Sequence, residues 1–216
     1  MLPSIATVRV LSQSFAALDA IVSPQGFATY AFDRRWGPGE EFGSMSNGSG
    51  DEYSIVFTAA GAFVRGFDHE SSMSPYQDDG YRTWPGLVES VPEEFAAQVT
   101  EPAFCHSDGT GRFLAATVCV WRRHHDPCWQ VGDIEFPARE DPDGSDWLFR
   151  LLVDGTPAAY CAYAADYFEV TLDPDDVGLV LDHRPLTPEL VRRINPETDM
   201  AELAEALDTI GFPHLR

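Results

Sequence analysis

The alternation of apolar and polar residues predicts strands in the first two thirds of the chain. Residues 2–11 alternate loosely and predict a strand, after which apolar residues recur at helical spacing over 15–22 and predict a first helix. A turn at 47–50 precedes an alternating segment at 53–57, and a second turn at 59–61 leads into a returning segment at 62–67, which predicts an antiparallel meander. A later run, 113–121, is apolar on both faces, as in a central strand covered on both sides.

Helical signals concentrate in the C-terminal third. Thr156-Pro157 and Thr187-Pro188 each place an N-cap residue before a proline at the first helical position. Residues 199–211 run from a start like a capping box to a terminal glycine. Between these helices, residues 177–181 are almost all apolar and predict one more strand.

Together these elements predict an α+β fold, with a central antiparallel or mixed sheet and with helices concentrated in the C-terminal third. We predict a single domain over residues 1–216. The stretch 136–146, rich in Pro, Gly and Asp, is the candidate boundary within it.

The composition excludes several classes of protein. All 14 basic residues are arginine, against 35 acidic ones, which gives a net charge of −21. Without lysine there is no Schiff-base nucleophile, no pyridoxal-phosphate attachment and no P-loop lysine. The negative charge repels nucleic acids and anionic membranes and attracts a basic protein, such as a toxin. Codon bias in a GC-rich genome or adaptation to salt would give the same composition.

The four cysteines form no CxxC pair and no secretory signal precedes them, so we expect reduced thiols and a cytoplasmic protein. No apolar window approaches the roughly 20 residues of a membrane span. No cofactor is predicted.

A polar run directly follows the second strand of the meander: Asp68, His69, Glu70 and Ser71. A strand end can hold such groups in fixed positions, as a binding or acid–base site requires. The run begins like a zinc-protease helix, but Met73 stands where the second histidine is needed. Alternatively, these residues cap a turn and satisfy backbone groups.

The loop that follows interleaves aromatic and acidic side chains: Tyr76, Asp78, Asp79, Tyr81 and Trp84. Ion pairing and cation–π contacts would let it bind arginine or lysine of a partner. A packed loop with solvated carboxylates is the alternative. Because the loop adjoins the polar run, the two together form the predicted partner-binding surface.

A second group of potential ligands comprises His124, His125 and Cys128, with Cys105-His106 on the other side of the strand predicted over 113–121. Nine residues at ~3.3 Å each separate the two ends of that strand by about 30 Å. No metal site is therefore predicted, and the three adjacent ligands remain weak candidates.

Several strings resemble a recurrent group of uncharacterised bacterial proteins: SNGSGDEY at 46–53, GFDHES at 66–71, WPG at 84–86, INP at 194–196 and IGFP at 210–213. The resemblance covers most of the chain and implies no catalytic residues or cofactor. In size, acidity and α+β composition the chain is also similar to immunity proteins that neutralise bacterial toxins, an analogy at the level of fold.

The leading hypothesis is an acidic binding protein of the immunity type that occludes a basic partner with the predicted surface. The first alternative is a small metal-assisted hydrolase that uses His69, Glu70 and Asp68. The second is a housekeeping protein whose charge has no specific partner. No complete catalytic set is present in the sequence, which favours binding over catalysis.

Overall fold

The computed structural model describes residues 1–24, 26, 28–107, 109 and 111–215. The fold is α+β, as predicted, with strands up to residue 131 and mostly helices afterwards. The strands in the described part of the chain are β1 (Tyr30–Gly37), β2 (Glu40–Ser46), β3 (Glu52–Phe57), β4 (Gly61–Phe67), β5 (Cys105–Ser107), β6 (Arg112–Leu114), β7 (Val118–Arg123) and β8 (Gln130–Val131).

The helices lie mostly in the C-terminal third, although the longest one opens the chain. They are α1 (Ile5–Val22), α2 (Ala96–Val99), α3 (Ser145–Leu148), α4 (Arg150–Asp154), α5 (Pro157–Tyr167), α6 (Pro174–Leu181), α7 (Pro188–Ile194) and α8 (Met200–Ile210). Short 3-10 turns occur at Pro75–Gln77, Glu93–Phe95 and Pro102–Phe104.

Residue contacts group the chain into two compact units. Met45–Arg150, with Met1, form the sheet unit, and Leu2–Ser44 with Leu151–Arg216 form the helical unit. The single domain, with its candidate boundary at 136–146, stays a prediction.

In the sheet unit, β3, β4, β7 and β8 pair antiparallel in that order, and β5 and β6 form a separate antiparallel pair. All seven residues of β4 are buried, and Val64 pairs with Ile55 on one side and with Val120 on the other. The predicted meander is thus confirmed. Strand β4 places its C-terminal end, which leads into Asp68, in a fixed position against both neighbours.

The strand predicted over 113–121 is wrong, because the apolar run divides between two sheets. Strand β6 pairs with β5 in a separate ribbon, and β7 pairs with β4. Between them, the Ala115 N–H donates to the Phe104 carbonyl and the Thr117 N–H donates to the Gly66 carbonyl. Uniform apolarity could not reveal this change of partner.

The helical unit is built around α1, which packs on β1, α6 and α8. The strand predicted over 2–11 is wrong. Ser4 accepts the Thr7 N–H as an N-cap, and Val8, Leu11 and Phe15 continue one buried helical face. The apolar residues that alternate at 2–11 also fit the three- and four-residue spacing of this helical face. The alternation therefore did not distinguish a strand from a helix.

The strand predicted over 177–181 is wrong as well, because these residues end helix α6. Asp173 caps this helix by accepting the Asp175 N–H, and Pro174 occupies its first position. Val177 and Val180, three residues apart, form the buried face. The same signal, a capping residue before proline, correctly predicts α5 and α7.

Helix α1 has 18 residues and a mean hydropathy of 1.4, so by length and composition it could cross a membrane. The expectation that no apolar stretch approaches this size is therefore corrected. In the structure 61% of the segment is buried, as for the core helix of a globular unit. It also carries the buried Asp19, which accepts the backbone N–H groups of Thr29 and Tyr30.

Candidate functional site

The polar run singled out in the sequence lies at one end of the β3–β4 hairpin. The register pairs Glu52 with Phe67. Asp51 directly precedes this pair, and Asp68 and His69 directly follow it. The start of β3 and the end of β4 therefore bring titratable side chains to the same edge of the sheet.

Asp51 and His69 form a close pair at this edge. Asp51 Oδ1 accepts the His69 backbone N–H at 3.0 Å and lies 2.6 Å from His69 Nδ1, so Nδ1 carries the shared proton. Burial acts to raise the pKa of Asp51, but the hydrogen bonds from His69 and Asn47 outweigh it and hold the pKa below its usual range. The bond to Asp51 raises the pKa of His69.

The turn before β3 fixes the Asp51 carboxylate. Asn47 Oδ1 accepts the backbone N–H groups of Ser49 and Asp51, and Asn47 Nδ2 donates to Asp51 Oδ2 at 2.8 Å. The turn predicted at 47–50 thus has a local cause, since an Asn side chain replaces the missing backbone partners.

Asp68 is held by three internal donors. Its Oδ1 accepts the N–H groups of Glu70 and Ser71, and its Oδ2 accepts the Trp147 indole N–H at 3.2 Å. Ser71 is buried and donates to the Pro142 carbonyl at 2.7 Å. These bonds leave Asp68 and Ser71 as supports of the loop rather than as free contact residues.

Asp51, Asp68 and His69 each offer one ligand atom, and the three atoms lie within 4.8 Å of one another. Among the described residues this is the one such group. The predicted metal-assisted site consisted of His69, Glu70 and Asp68. In the structure Asp51, and not Glu70, joins the other two, and the Glu70 side chain is exposed. Carboxylate and imidazole ligands suit divalent transition metals.

Glu52 begins a second polar network, which runs from the core to the surface. The Arg65 side chain is only 1% exposed and donates to Glu52 Oε1 at 2.7 Å. Glu52 Oε1 lies 3.7 Å from His106 Nε2, and His106 Nδ1 lies 2.8 Å from the Tyr76 hydroxyl. A buried guanidinium is thus connected, through a carboxylate and an imidazole, to a surface tyrosine.

Tyr76 is the outermost ring of an aromatic cluster. It meets Tyr81 and Phe113 edge to face at 5.7 and 5.5 Å, and Tyr81 stacks on Phe113 at 4.8 Å. Desolvation, with Tyr81 and Glu52 nearby, raises the pKa of Tyr76, which therefore stays a neutral phenol. Half of Tyr76 remains exposed at 50%.

The rest of the predicted loop is internally bonded. Arg82 donates two hydrogen bonds to Asp78, which hold the Asp78 pKa near 2. Trp84 donates its indole N–H to the Glu135 carbonyl at 3.1 Å. Trp84, Asp78 and Arg82 also line a cavity of about 610 Å³ in the sheet unit.

The nine predicted contact residues thus separate into two sets. Glu70, Tyr76 and Asp79 are exposed, and neither carboxylate makes an ion pair within the described residues. Tyr76 also contacts His106 and Phe113, but half of it stays exposed. His69 is exposed too, but its ring is paired with Asp51. The remaining five are engaged in hydrogen bonds, ion pairs or ring packing: Asp68, Ser71, Asp78, Tyr81 and Trp84. The first set is named the Tyr76 surface.

The weak metal candidates do not form a ligand group. His124, His125 and Cys128 are absent from the ligand groups found among the described residues. The Asp126 carboxylate instead accepts the Arg123 N–H within the turn after β7. His106 belongs to the network of Glu52 and Tyr76.

Comparison with family models, curated proteins and solved structures found no match.

The distribution of charge does not single out one of the two units. The sheet unit carries 18 acidic and 7 basic residues, and the helical unit carries 17 and 7. The excess of acidic residues is thus about the same in both units.

Asp51 and Glu52 were not predicted as site residues, and His106 was named only among the possible metal ligands. The first two follow a turn and open a strand, so the hairpin register places them opposite 67–69. Arg65 inside an apolar strand was a further signal, because a buried guanidinium requires an acidic partner. His106 is brought in by the ribbon β5–β6, which no local pattern predicts.

Proposed function

We propose that the protein is a cytoplasmic binding protein that occludes a basic protein partner, as immunity proteins occlude toxins. The proposed contact is the Tyr76 surface, with Tyr76 as its central anchor. The observation that carries the proposal is a half-exposed tyrosine, packed on a fixed aromatic base and accompanied in its loop by an unpaired carboxylate.

Tyrosine suits this role for physical reasons. It supplies a large apolar contact at low cost in conformational entropy, and its ring face attracts arginine and lysine. The hydrogen bond to His106 and the contact with Phe113 already fix the Tyr76 ring. Little side-chain freedom is then lost when a partner binds.

The charge of the chain contributes chiefly to the rate of association. A net charge of −21 attracts a cationic protein from a distance, and salt screens this attraction. The local carboxylates Glu70 and Asp79 would then pair with basic side chains of the partner at the rim. Binding is accordingly expected to be faster at low ionic strength.

The test compares two matched triple variants as baits in a lysate of the native host. The first, Glu70→Gln/Tyr76→Ala/Asp79→Asn, removes the Tyr76 surface. The second, Glu169→Gln/Tyr167→Ala/Asp166→Asn, removes the same residue types from exposed positions of the helical unit. Wild type and the second variant should enrich the same basic protein, and the first should lose it.

Two results would contradict the proposal. One is that wild type enriches no basic protein at low or high salt. The other is that both variants lose the partner equally, which would indicate attraction by overall charge. Circular dichroism of both variants checks that each is folded.

The group of Asp51, Asp68 and His69 favours a second candidate, a metal-assisted hydrolase. His69 and the two carboxylates would hold the ion, and a water on it would be the nucleophile. Zinc titration with a chromogenic ester assay tests this activity. Wild type should hydrolyse the ester only with zinc, and His69→Ala and Asp51→Asn should not. Equal rates in all three proteins would reject it.

A further inference from the structure

The helical unit contains a cavity of about 500 Å³ that brings two histidines together. His183 and His214 line it, with Asp208 and Arg34. These residues take no part in the site of the sheet unit, so the inference does not depend on the proposed function.

His214 has the hydrogen-bonding pattern of a metal ligand. Its Nδ1 lies 3.0 Å from the Phe212 carbonyl, which can only accept, so Nδ1 carries the proton. In the neutral ring, Nε2 then presents a bare lone pair. This atom is buried and has no hydrogen-bond partner among the residues that the structure describes, and it lies 3.9 Å from Asp208 Oδ1. Metal-binding histidines commonly donate their second N–H to a backbone carbonyl in this way.

His183 offers a second unsatisfied nitrogen. Its Nε2 is also buried, and no described residue offers it a hydrogen bond. A buried ring nitrogen without a partner is unfavourable, and the two residues that carry these nitrogens both line this one cavity.

The backbone around the cavity favours a cation. His183 follows the end of α6 with φ +57, and Gly211 follows the end of α8 with φ +75. Both residues line the cavity, so two helix C-termini meet there. A helix C-terminus carries partial negative charge and stabilises cations.

We propose that this cavity is a divalent transition-metal site of the zinc class, coordinated by His183 Nε2, His214 Nε2 and the Asp208 carboxylate. The three ligand atoms do not all lie within 4.8 Å of one another, so zinc binding requires a side-chain rotation that brings them together. Zinc commonly takes three such protein ligands and a water. Arg34 lines the same cavity and opposes the ion by its charge.

Isothermal titration with zinc chloride tests the site in a His69→Ala background, which removes the ligand group of the sheet unit. This protein should bind one zinc ion. Adding Asp208→Asn or His183→Ala should weaken binding at least about tenfold, the loss that even outer-shell partners produce. Adding Arg34→Gln should strengthen it, because the opposing charge is removed.

The proposal is overturned if the His69→Ala protein binds no zinc, or if Asp208→Asn and His183→Ala leave its affinity unchanged. His214→Ala should also abolish binding, but His214 is only 7% exposed and its loss can disturb folding. The exposed Asp208 therefore provides the decisive variant, with circular dichroism as the check on its fold.

Discussion

The Tyr76 hydroxyl lies 2.8 Å from His106 Nδ1, across thirty positions of sequence. This contact ties the loop after β4 to the ribbon β5–β6 and sets the direction of the ring. Because Phe113 supports the ring from the same ribbon, Tyr76 is presented in one orientation although half of it is exposed. A fixed aromatic ring at the surface is a suitable anchor for a partner.

Arg65 and Glu52 should be energetically coupled. Glu52→Gln leaves the buried guanidinium without its counter-charge, and we expect a loss of about 2 kcal/mol, less than for a fully buried pair because Glu52 is 32% exposed. The double variant Glu52→Gln/Arg65→Met should lose less than the sum of the two single losses. Urea unfolding of the four proteins measures this. Additive losses would contradict the coupling.

Asp19 should make stability fall as the pH rises. Burial raises its pKa from 3.8 to about 6, against the hydrogen bonds from Tyr160, Tyr30 and Thr29 that lower it. The folded state therefore binds the proton more tightly than the unfolded state. The stability due to the protonated carboxyl is present below about pH 4 and lost as the pH passes 6, a change of ~3 kcal/mol.

The comparison with Asp19→Asn isolates this effect from the other carboxylates. Unfolding free energies of both proteins are measured from about pH 3 to about pH 7. The difference between wild type and variant should shift against the wild type by about 3 kcal/mol over that range. Parallel curves would show that the three donors, rather than burial, determine the pKa of Asp19.

Gly144 should be required for the support of Asp68. It has φ +79, and a Cβ there would lie 2.4 Å from Asp68 Oδ2. Gly144→Ala should cost more than the ~1–2 kcal/mol of the left-handed conformation alone. Gly48→Ala is the matched control, with φ +73 and no atom within 4 Å of its Cβ. Equal losses of thermal stability in the two variants would contradict the role of the Asp68 contact.

Local signals predicted much of the fold. Thr156, Thr187 and Asp199 act as N-caps as expected, because a cap and its N–H partners lie within three residues. The apolar segment at 177–181 was assigned wrongly, since a short apolar run does not distinguish strand from helix. There the preceding Asp173-Pro174 was the better guide.

The site was predicted only in part, for a physical reason. The sequence identified Asp68, His69 and Tyr76, but their partners are set by tertiary contacts. Trp147 reaches Asp68 across 79 positions, and the α3 segment that carries it gives no sign of this. Consequently the sequence could not show which predicted residues are internally bonded and which remain available.

The most direct test of the Tyr76 surface is photo-crosslinking in the native host. A benzophenone amino acid replaces Tyr76 in one protein and Tyr167, which is 42% exposed, in a second. Irradiation should join position 76 to one basic protein, identified by mass spectrometry, and position 167 should give no such adduct. The absence of an adduct at position 76, or the same adducts at both positions, would contradict the account.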